Sequence, residues 1–525
     1  MSSESSLPRG AHNQTDVYAV HGADPEVLAY AMAKYSRSAL SMRESLAEIS
    51  AQRAEQFLNT FYFQYGHRSI ADLAHVAFAV ERLSLLAAII LVDEQRWDGQ
   101  ERSTRYQNFR ESGWYYPDFG RDHESAKLYA DTMENLFSAY ERTSAGVLDA
   151  LKDRVARPDN MKPEAYERTL KARAFDVARY LLPLGTNTSL GQIVNARTLE
   201  TQVSRLLSYG TAEIRELGRK LREAASTPAF NVTAQAGSAL VAEIAKIDPA
   251  LGAQAGAMLT RDVRTAPTLV KYAEPNPYRI EARILLEQLA HQLLAKVPVA
   301  DAPLVDLVER TESMEVEIAS SLVYWAGCHP YRQVREIVAE LPEKRVNEII
   351  EVGLRHRGSH DEALRTFHAG AALRFDILMD VGGFRDMHRH RRCVQIRQAF
   401  TAAHGYETPE YGDAAGLAEA GMVGDYQRTV DSAHAAAARI AEGSAPEASQ
   451  TAKYVLPLAT RVRCLFKMDF AEAQYISELR SAPAGHFSYR RVAWEMFLAM
   501  QRQHPLLARH IRATDFSKPI DLLQR

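Results

Sequence analysis

Apolar residues recur at three- and four-residue spacing over residues 26–35, 42–62, 164–182, 280–294 and 315–325, which predicts amphipathic helices. Two shorter stretches alternate instead, 75–80 (HVAFAV) and 463–470 (RCLFKMDF), and predict strands. The longest strongly apolar run, 83–92, is only ten residues long and contains Ser84. A membrane span needs about 20 such residues, so this run is expected as a buried element of a soluble protein with no membrane partner. The mixture gives an α+β class with helices in the majority. Residues 226–311, rich in Ala, Pro and Gly with an AEPNPY turn at 273–278, read as a connector with some helix of its own. Residues 1–15 are polar, lack the apolar core of a signal peptide, and read as a disordered tail.

The chain also repeats itself. ARYLLPLGT starts at Ala178 and AKYVLPLAT at Ala452, an offset of 452 − 178 = 274. A second echo relates YGHRS around His67 to LRHRGS around His356, an offset of 356 − 67 = 289 that also relates Tyr35 to Tyr324. Two similar helices can recur by composition alone. Preserved order across three landmarks favours a duplicated domain, at 16–225 and 312–525 around the connector.

With 525 residues, 46% hydrophobic and 25% charged, the chain has the content of a globular protein. At ~100–200 residues per domain it has room for roughly two to four. Lys plus Arg is 63 against 66 for Asp plus Glu, a net charge of −3. That balance excludes a general nucleic-acid binder, so any anion site is local. Three scattered cysteines, Cys328, Cys393 and Cys464, cannot make a disulfide framework or a CxxC zinc site, and point to the reducing cytoplasm. There is no phosphate loop of the GxxxxGK[ST] kind, no HExxH, no GxSxG and no strand followed by GxGxxG.

The densest chemistry lies in FRDMHRHRRCVQIR, residues 384–397, after the apolar approach FDILMDVGGF. Arginine forks suit phosphate oxygens, because two parallel N–H donors match two acceptors. His388 and His390 have a His-x-His spacing, but no Cys, Asp or Glu set completes a metal site. In the first copy the corresponding approach, LSLLAAIILV, leads into DEQRWDGQERSTRYQNF. There Ser103 and Arg105 suit a phosphate, and Glu101 suits ribose or ring donors.

These residues resemble the flavin-dependent thymidylate synthase family. Its members carry an apolar helix followed by Arg-His-Arg, then Asn-Glu-x-Ser-x-Arg-Tyr. An Ala-Arg-x-x-Leu-Pro-Leu segment, an Asn-Ala-Arg flavin segment and a Leu-Arg acting on the uracil ring follow. The chain is similar to two copies of that domain, each keeping a different part of the signature. The first copy retains Glu101, Ser103, Arg105, Tyr106, Arg179 and Asn195-Ala196-Arg197, with Gln100 in place of Asn. It has Asp93-Glu94-Gln95 where the family has Arg-His-Arg, and Leu206 at the ring arginine. The second copy retains Arg389-His390-Arg391 and Arg480. It has Ile396, Arg397, Ala399 and Thr401 in the Asn-Glu-x-Ser-x-Arg stretch, Lys453 for the arginine and Asp469 for the asparagine. Asp386 stands where the family has glutamine, so the pyrimidine contact is expected to differ.

The resemblance implies long helices packed on a small mixed sheet, the two copies forming a pseudo-dimer. It also implies a homotetrameric family pattern in which each nucleotide site straddles two subunits. Pairing the retained parts gives one complete composite site, with Arg389, His390, Arg391 and Arg480 facing Glu101, Ser103, Arg105 and Arg179. The reciprocal pairing sets Asp93, Glu94 and Leu206 with Lys453. Carboxylates facing a phosphate repel it by up to about 4 kcal/mol per close pair at an effective dielectric near 20. The implied activity is methylation of dUMP to dTMP with methylenetetrahydrofolate and NADPH as co-substrates and FAD as cofactor. In it Arg105, Arg179 and Ser103 hold the nucleotide phosphate, and Arg480 is the catalytic group that stabilises charge on the ring. Arg389, His390, Arg391, Glu101, Asn195, Ala196 and Arg197 contact the flavin, and Arg389 and His390 also hold the nucleotide, with Glu101 and Asp386 among the substrate contacts. No protein nucleophile is required. The alternatives are an FAD- and uracil-nucleotide-binding relative with altered one-carbon or redox chemistry, and a non-catalytic nucleotide-binding protein. A homodimer, four domains in all, is the expected assembly.

Overall fold

The computed structural model describes residues 18, 20, 22–34, 41–48, 68–232, 234–308, 313–356, 364–367, 373–409, 416–508 and 511–523. The polar tail, the Tyr35 and His67 landmarks and residues 49–62 of the second expected helix lie outside the described residues. The chain divides into two compact units, one of residues 1–76, 195–200 and 222–272, the other of 77–194, 201–221 and 273–525.

The first unit is helical where described. Buried Glu26 accepts from the backbone N–H groups of Thr268 and Leu269, both at 2.9 Å. Helices Ala234–Ile247 and Pro249–Leu259 come from the Ala-rich stretch expected as a connector. Alanine has the highest helix propensity, and Asp248 caps the second of the two by accepting from Ala250 and Leu251. Helix Pro277–Leu294, in the other unit, takes a further part of that stretch, so it is more regular than its composition suggests.

The second unit is organised on two small sheets. Strands β1 (His75–Ser84), β2 (Asp98–Glu101) and β3 (Asn187–Asn195) order as β1-β3-β2. Strands β4 (Val305–Leu307), β5 (Leu373–Asp380), β6 (Val394–Arg397) and β7 (Arg461–Met468) order as β4-β5-β7-β6. The second sheet thus repeats the order of the first and adds β4 at an edge. The described registers are antiparallel, so over those pairs the small sheet is not mixed in direction. Strand β7 stops at Met468 because the Asp469 carboxylate accepts from Glu472 N–H and starts a helix, which puts Phe470 in that helix.

The apolar approaches divide in the same way in both copies. Strand β1 runs into helix α1 (Leu85–Leu91), capped by Ser84 Oγ accepting from Ala87 N–H at 2.9 Å. Later come the long helix α2 (His123–Arg154) and α3 (Pro163–Ala178). Strand β5 runs into helix α4 (Val381–Met387), capped by Asp380 accepting from Gly383 N–H at 2.6 Å. The segment before Arg-His-Arg is therefore strand first and helix for two turns only.

The nonapeptide repeat is the seam between the copies. Leu184 N–H donates to Leu456 O at 2.8 Å and Leu458 N–H to Leu182 O at 2.9 Å. Gly185 N–H donates to Tyr454 O at 2.8 Å and Ala459 N–H to Tyr180 O at 3.0 Å, with Pro183 opposite Pro457. Each bond is the image of its mate under the same 274-residue offset (458 − 184 and 459 − 185). That reciprocity is the mark of a two-fold contact, here made within one chain.

Candidate functional site

Six arginines and four carboxylates from both copies gather in the second unit, and their partners differ sharply. Strand β2 ends at Glu101, opposite Leu190 on β3. Arg105 follows in the loop, and four of its five N–H donors are used. Nε and Nη2 reach the Asp176 carboxylate at 2.7 and 3.0 Å, Nη1 donates to Tyr489 OH at 2.9 Å, and Nη2 to Ala484 O at 3.3 Å. Ser103, half-buried, accepts from Arg105 N–H at 3.2 Å.

Arg179 is different. It follows α3 in a short turn, is 2% exposed, and reaches Thr104 Oγ1 and Asp386 Oδ2 only at 3.5 Å. Its Nε has no hydrogen-bond partner. A buried guanidinium held this loosely has donor capacity that nothing around it uses.

Helix α4 carries Arg385 and Asp386. Arg385 Nη2 donates to Glu101 Oε2 at 2.8 Å, both side chains being buried, while Arg385 Nε has no partner. Burial alone would raise the Glu101 carboxyl, but Arg385, with Arg389 and His388 adding to it, holds the group below the usual carboxylate range. The Asp386 side chain is 15% exposed. Burial pushes it up too, and the guanidiniums of Arg179, Arg389, Arg105 and Arg480 together keep it ionised and low. Asp386 is the point on which the arginines of both copies converge.

Arg389 is exposed and makes no ion pair within hydrogen-bond reach among the described residues, acting on Asp386 and Glu101 by its charge alone. The Arg391 guanidinium lies 5.1 Å from the Trp97 ring centroid and donates to His388 O at 3.1 Å. His390 is buried, its Nδ1 3.2 Å from Glu472 Oε1 and its Nε2 accepting from Arg480 Nε at 2.8 Å. Arg480 also lies over the Tyr489 ring, 5.4 Å from its centroid. It ends helix α5 (Phe470–Ser481), and Tyr489 lies in the first turn of α6 (Phe487–Gln503).

Glu101, Ser103, Arg105 and Arg179 are thus in one unit with Asp386, Arg389, His390, Arg391 and Arg480, all within one chain. Asn195, Ala196 and Arg197 belong to the other unit. There Asn195 Oδ1 accepts from Thr198 N–H at 2.8 Å, Ala196 N–H donates to Ala74 O, and Arg197 pairs with Asp72 at 3.3 Å.

Reading by residue type misses Asp176, Tyr489 and Glu472. Asp176 lies one helical turn before Arg179, a spacing that signals a shared face. Nothing in the sequence signals the other two.

The reciprocal set differs from the expectation of bare carboxylates. Asp93 pairs with Arg365, and Glu94 with Arg205 at 2.8 Å. Burial would raise Asp93, but Arg365, His388 and Arg205 hold it far below the usual range. These acids are neutralised by guanidiniums distant in sequence. Burial lowers the Lys453 ammonium to about 8, with Arg397 and Arg283 adding repulsion, and Lys453 donates to Gln450 Oε1 at 2.7 Å. Leu206 is fully buried.

His388 is pulled down to about 4 by burial, with Nδ1 2.8 Å from Gln395 Oε1. Among the described residues no group of three His, Cys, Asp or Glu is placed to hold a metal. Burial pushes the Cys393 thiol up to about 12, so it is a poor nucleophile. No described helix is long and apolar enough to cross a membrane.

The family model of the Thymidylate synthase complementing protein, Thy1, matches this chain twice, over residues 19–228 and 307–506. The chain belongs to the Thy1 family. It is a tandem, two-copy member, as the split signature implies. The chain also matches curated relatives over most of its own length and theirs. A UPF0159 protein of Chlamydia muridarum is 26% identical, the match covering 94% of this chain and 91% of that one. A UPF0159 protein of Chlamydia pneumoniae is also 26% identical, over 97% and 93%. One from Thermoplasma acidophilum is 24% identical, over 92% and 94%. Among solved structures, Thymidylate Synthase X of Helicobacter pylori with FAD and dUMP is 17% identical, covering 38% of this chain and 88% of that one at a TM-score of 0.23.

Proposed function

We propose that this Thy1-family chain is an FAD-dependent methyltransferase that converts dUMP to dTMP at one composite site built inside the chain. The observation that carries the reading is Arg179. A guanidinium from the first copy is buried, keeps an unpartnered Nε, and shares Asp386 with Arg389 and Arg480 of the second copy. Such a cation suits a phosphate, whose oxygens supply the acceptors that Thr104 and Asp386 offer only at 3.5 Å. Arg105, engaged by Asp176 and Tyr489, holds the loop carrying Ser103 in place.

The donor set also fits a flavin dinucleotide. Arg389 is exposed and makes no direct ion pair among the described residues, Arg385 Nε is orphaned, and Arg391 lies over the Trp97 indole. Arg389 and Arg391 would hold its pyrophosphate. When bound, FAD supplies two-electron transfer between NADPH and the one-carbon unit of methylenetetrahydrofolate. The terminal nitrogens of Arg480 have no hydrogen-bond partner among the described residues, and they would meet negative charge developing on the uracil ring.

One observation favours a second reading. Asp386 is a carboxylate, acceptor-only while ionised, in the place where a pyrimidine contact is expected. That supports a related uracil nucleotide or an altered one-carbon or redox step. Turnover of purified protein with dUMP, NADPH and methylenetetrahydrofolate tests the main reading, with dTMP as the expected product. Flavin bound without dTMP formation favours the second reading, and absence of both flavin and dUMP binding refutes the site.

A further inference from the structure

Glu472 and Arg480 grip one imidazole from two rungs of the same helix. They are eight residues apart on α5, about 12 Å along the axis. Glu472 is fixed in the first turn, where its N–H donates to the Asp469 cap at 2.8 Å, and its side chain is 4% exposed, as is that of His390. An arginine Nε always carries hydrogen, so the 2.8 Å contact from Arg480 Nε needs a lone pair on His390 Nε2. The ring hydrogen is then on Nδ1, where it needs an acceptor, and Glu472 Oε1 stands 3.2 Å away. Three groups define one neutral tautomer, and that tautomer aims Arg480. The dyad-related positions of the first copy hold Thr198, Glu94 and Leu206 (472 − 274, 390 − 296, 480 − 274), which cannot make the clamp. The clamp exists only where the arginines of both copies converge.

We propose that Glu472 is a positioning residue for Arg480, acting through His390, whose Nδ1–H tautomer it fixes. The tautomer does not depend on the proposed reaction, whereas the ligand arm of the test rests on that reading. Glu472→Gln keeps an acceptor oxygen, and Glu472→Ala removes it.

Nitrogen-15 spectra of the histidine-labelled full chain, with His390 assigned by its loss in His390→Gln, read the tautomer directly. Wild type and Glu472→Gln should show a protonated Nδ1 and a bare Nε2 at pH 7, and Glu472→Ala should lose that pattern. A His390 protonated on Nε2 in wild type, or an unchanged Nδ1–H form in Glu472→Ala, overturns the proposal. Titration with dUMP forms the second arm. Glu472→Ala should weaken binding roughly 10-fold in wild type and not at all in an Arg480→Ala background, because one residue acts through the other. Additive losses overturn the proposal. If wild type does not bind dUMP, the functional reading fails and the tautomer arm decides alone. If Glu472→Ala does not fold, Glu472→Gln decides, and a His390 that has left the Nδ1–H form in that variant overturns it.

Discussion

Arg179 and Lys453 occupy dyad-related positions, 453 − 179 = 274, yet their surroundings predict opposite outcomes for the same truncation. In Arg179→Ala the protein loses a buried guanidinium whose contacts to Thr104 and Asp386 are 3.5 Å long and whose Nε bonds nothing. Little is lost in the free protein, since Asp386 keeps Arg389, Arg105 and Arg480 as counter-charges. The loss falls on the complex instead. A charge-assisted hydrogen bond contributes about 1.5–3 kcal/mol, so dUMP affinity should fall roughly 10- to 150-fold. In Lys453→Ala the ammonium removed has one bond, to Gln450, and two repelling guanidiniums, Arg397 and Arg283, beside one carboxylate, Glu287. Its removal relieves repulsion, and dUMP affinity should stay within about twofold. Calorimetric titration of both variants, after thermal melts show both folded, makes the comparison. Equal losses at the two positions would refute the single composite site, and no loss at Arg179 would refute its role as the anion-binding cation.

Three further outcomes follow from the same contacts. Purified protein should bind about one FAD per chain, read from flavin absorbance against protein mass, and two per chain would refute the composite pairing. Asp386→Gln should tighten binding of a phosphate ester. A unit charge about 7 Å away repels another by about 2 kcal/mol at an effective dielectric of 20, so a gain of up to roughly 50-fold is expected, and unchanged affinity refutes the electrostatic reading. Burial raises Asp380 to about 6, above its unfolded value of 3.8. Its contribution to stability is therefore full below about pH 4 and is lost as pH rises through about 6, about 3 kcal/mol in all. Denaturation at pH 5 and pH 7 should show a little under half of that loss, about 1.3 kcal/mol, in wild type relative to Asp380→Asn, and parallel curves would refute it. His388, pulled down to about 4, acts oppositely, losing stability as pH falls, but is common to both proteins and cancels.

What the sequence made legible was local. Alternation located β1 and β7, the PLGT and PLAT segments located the seam, and the crowding of Arg and His at 384–397 located the arginine cluster. What it hid was pairing. Arg105 reads as a phosphate ligand until Asp176, 71 residues away, and Tyr489, 384 away, are found engaging its fork. Asp93 reads as a bare acid until Arg365 arrives from 272 residues downstream. Residue type tells what a side chain can bond, but only the fold tells which bonds are already made. Donor capacity left over after folding distinguishes Arg179 from Arg105, and no spacing rule reports it.

On the proposed reading, the dyad also accounts for one site being kept while its reciprocal drifts. The position before each short helix carries a cap bonded to the start of a later helix, and the chemistry of that bond is inverted between the copies. In the first copy the cap is Ser84, and the carboxylate is Glu213, accepting from Ser84 N–H at 2.8 Å and Oγ at 2.7 Å. In the second the cap is the carboxylate Asp380, and Ser488 Oγ donates to it. Both acids are raised by burial. The fold requires one hydroxyl and one carboxylate at each corner, and either order satisfies it. Binding is less tolerant, since an anion site with its cations replaced by Asp93 and Glu94 cannot be restored by exchanging partners. Two separate subunits of one sequence would carry every substitution into both sites at once. A fused pair does not, so on the proposed reading Leu206 at the ring-arginine position and Lys453 at the phosphate-arginine position leave Arg480 and Arg179 untouched. Arg365 and Arg205 then had only to neutralise the acids left behind.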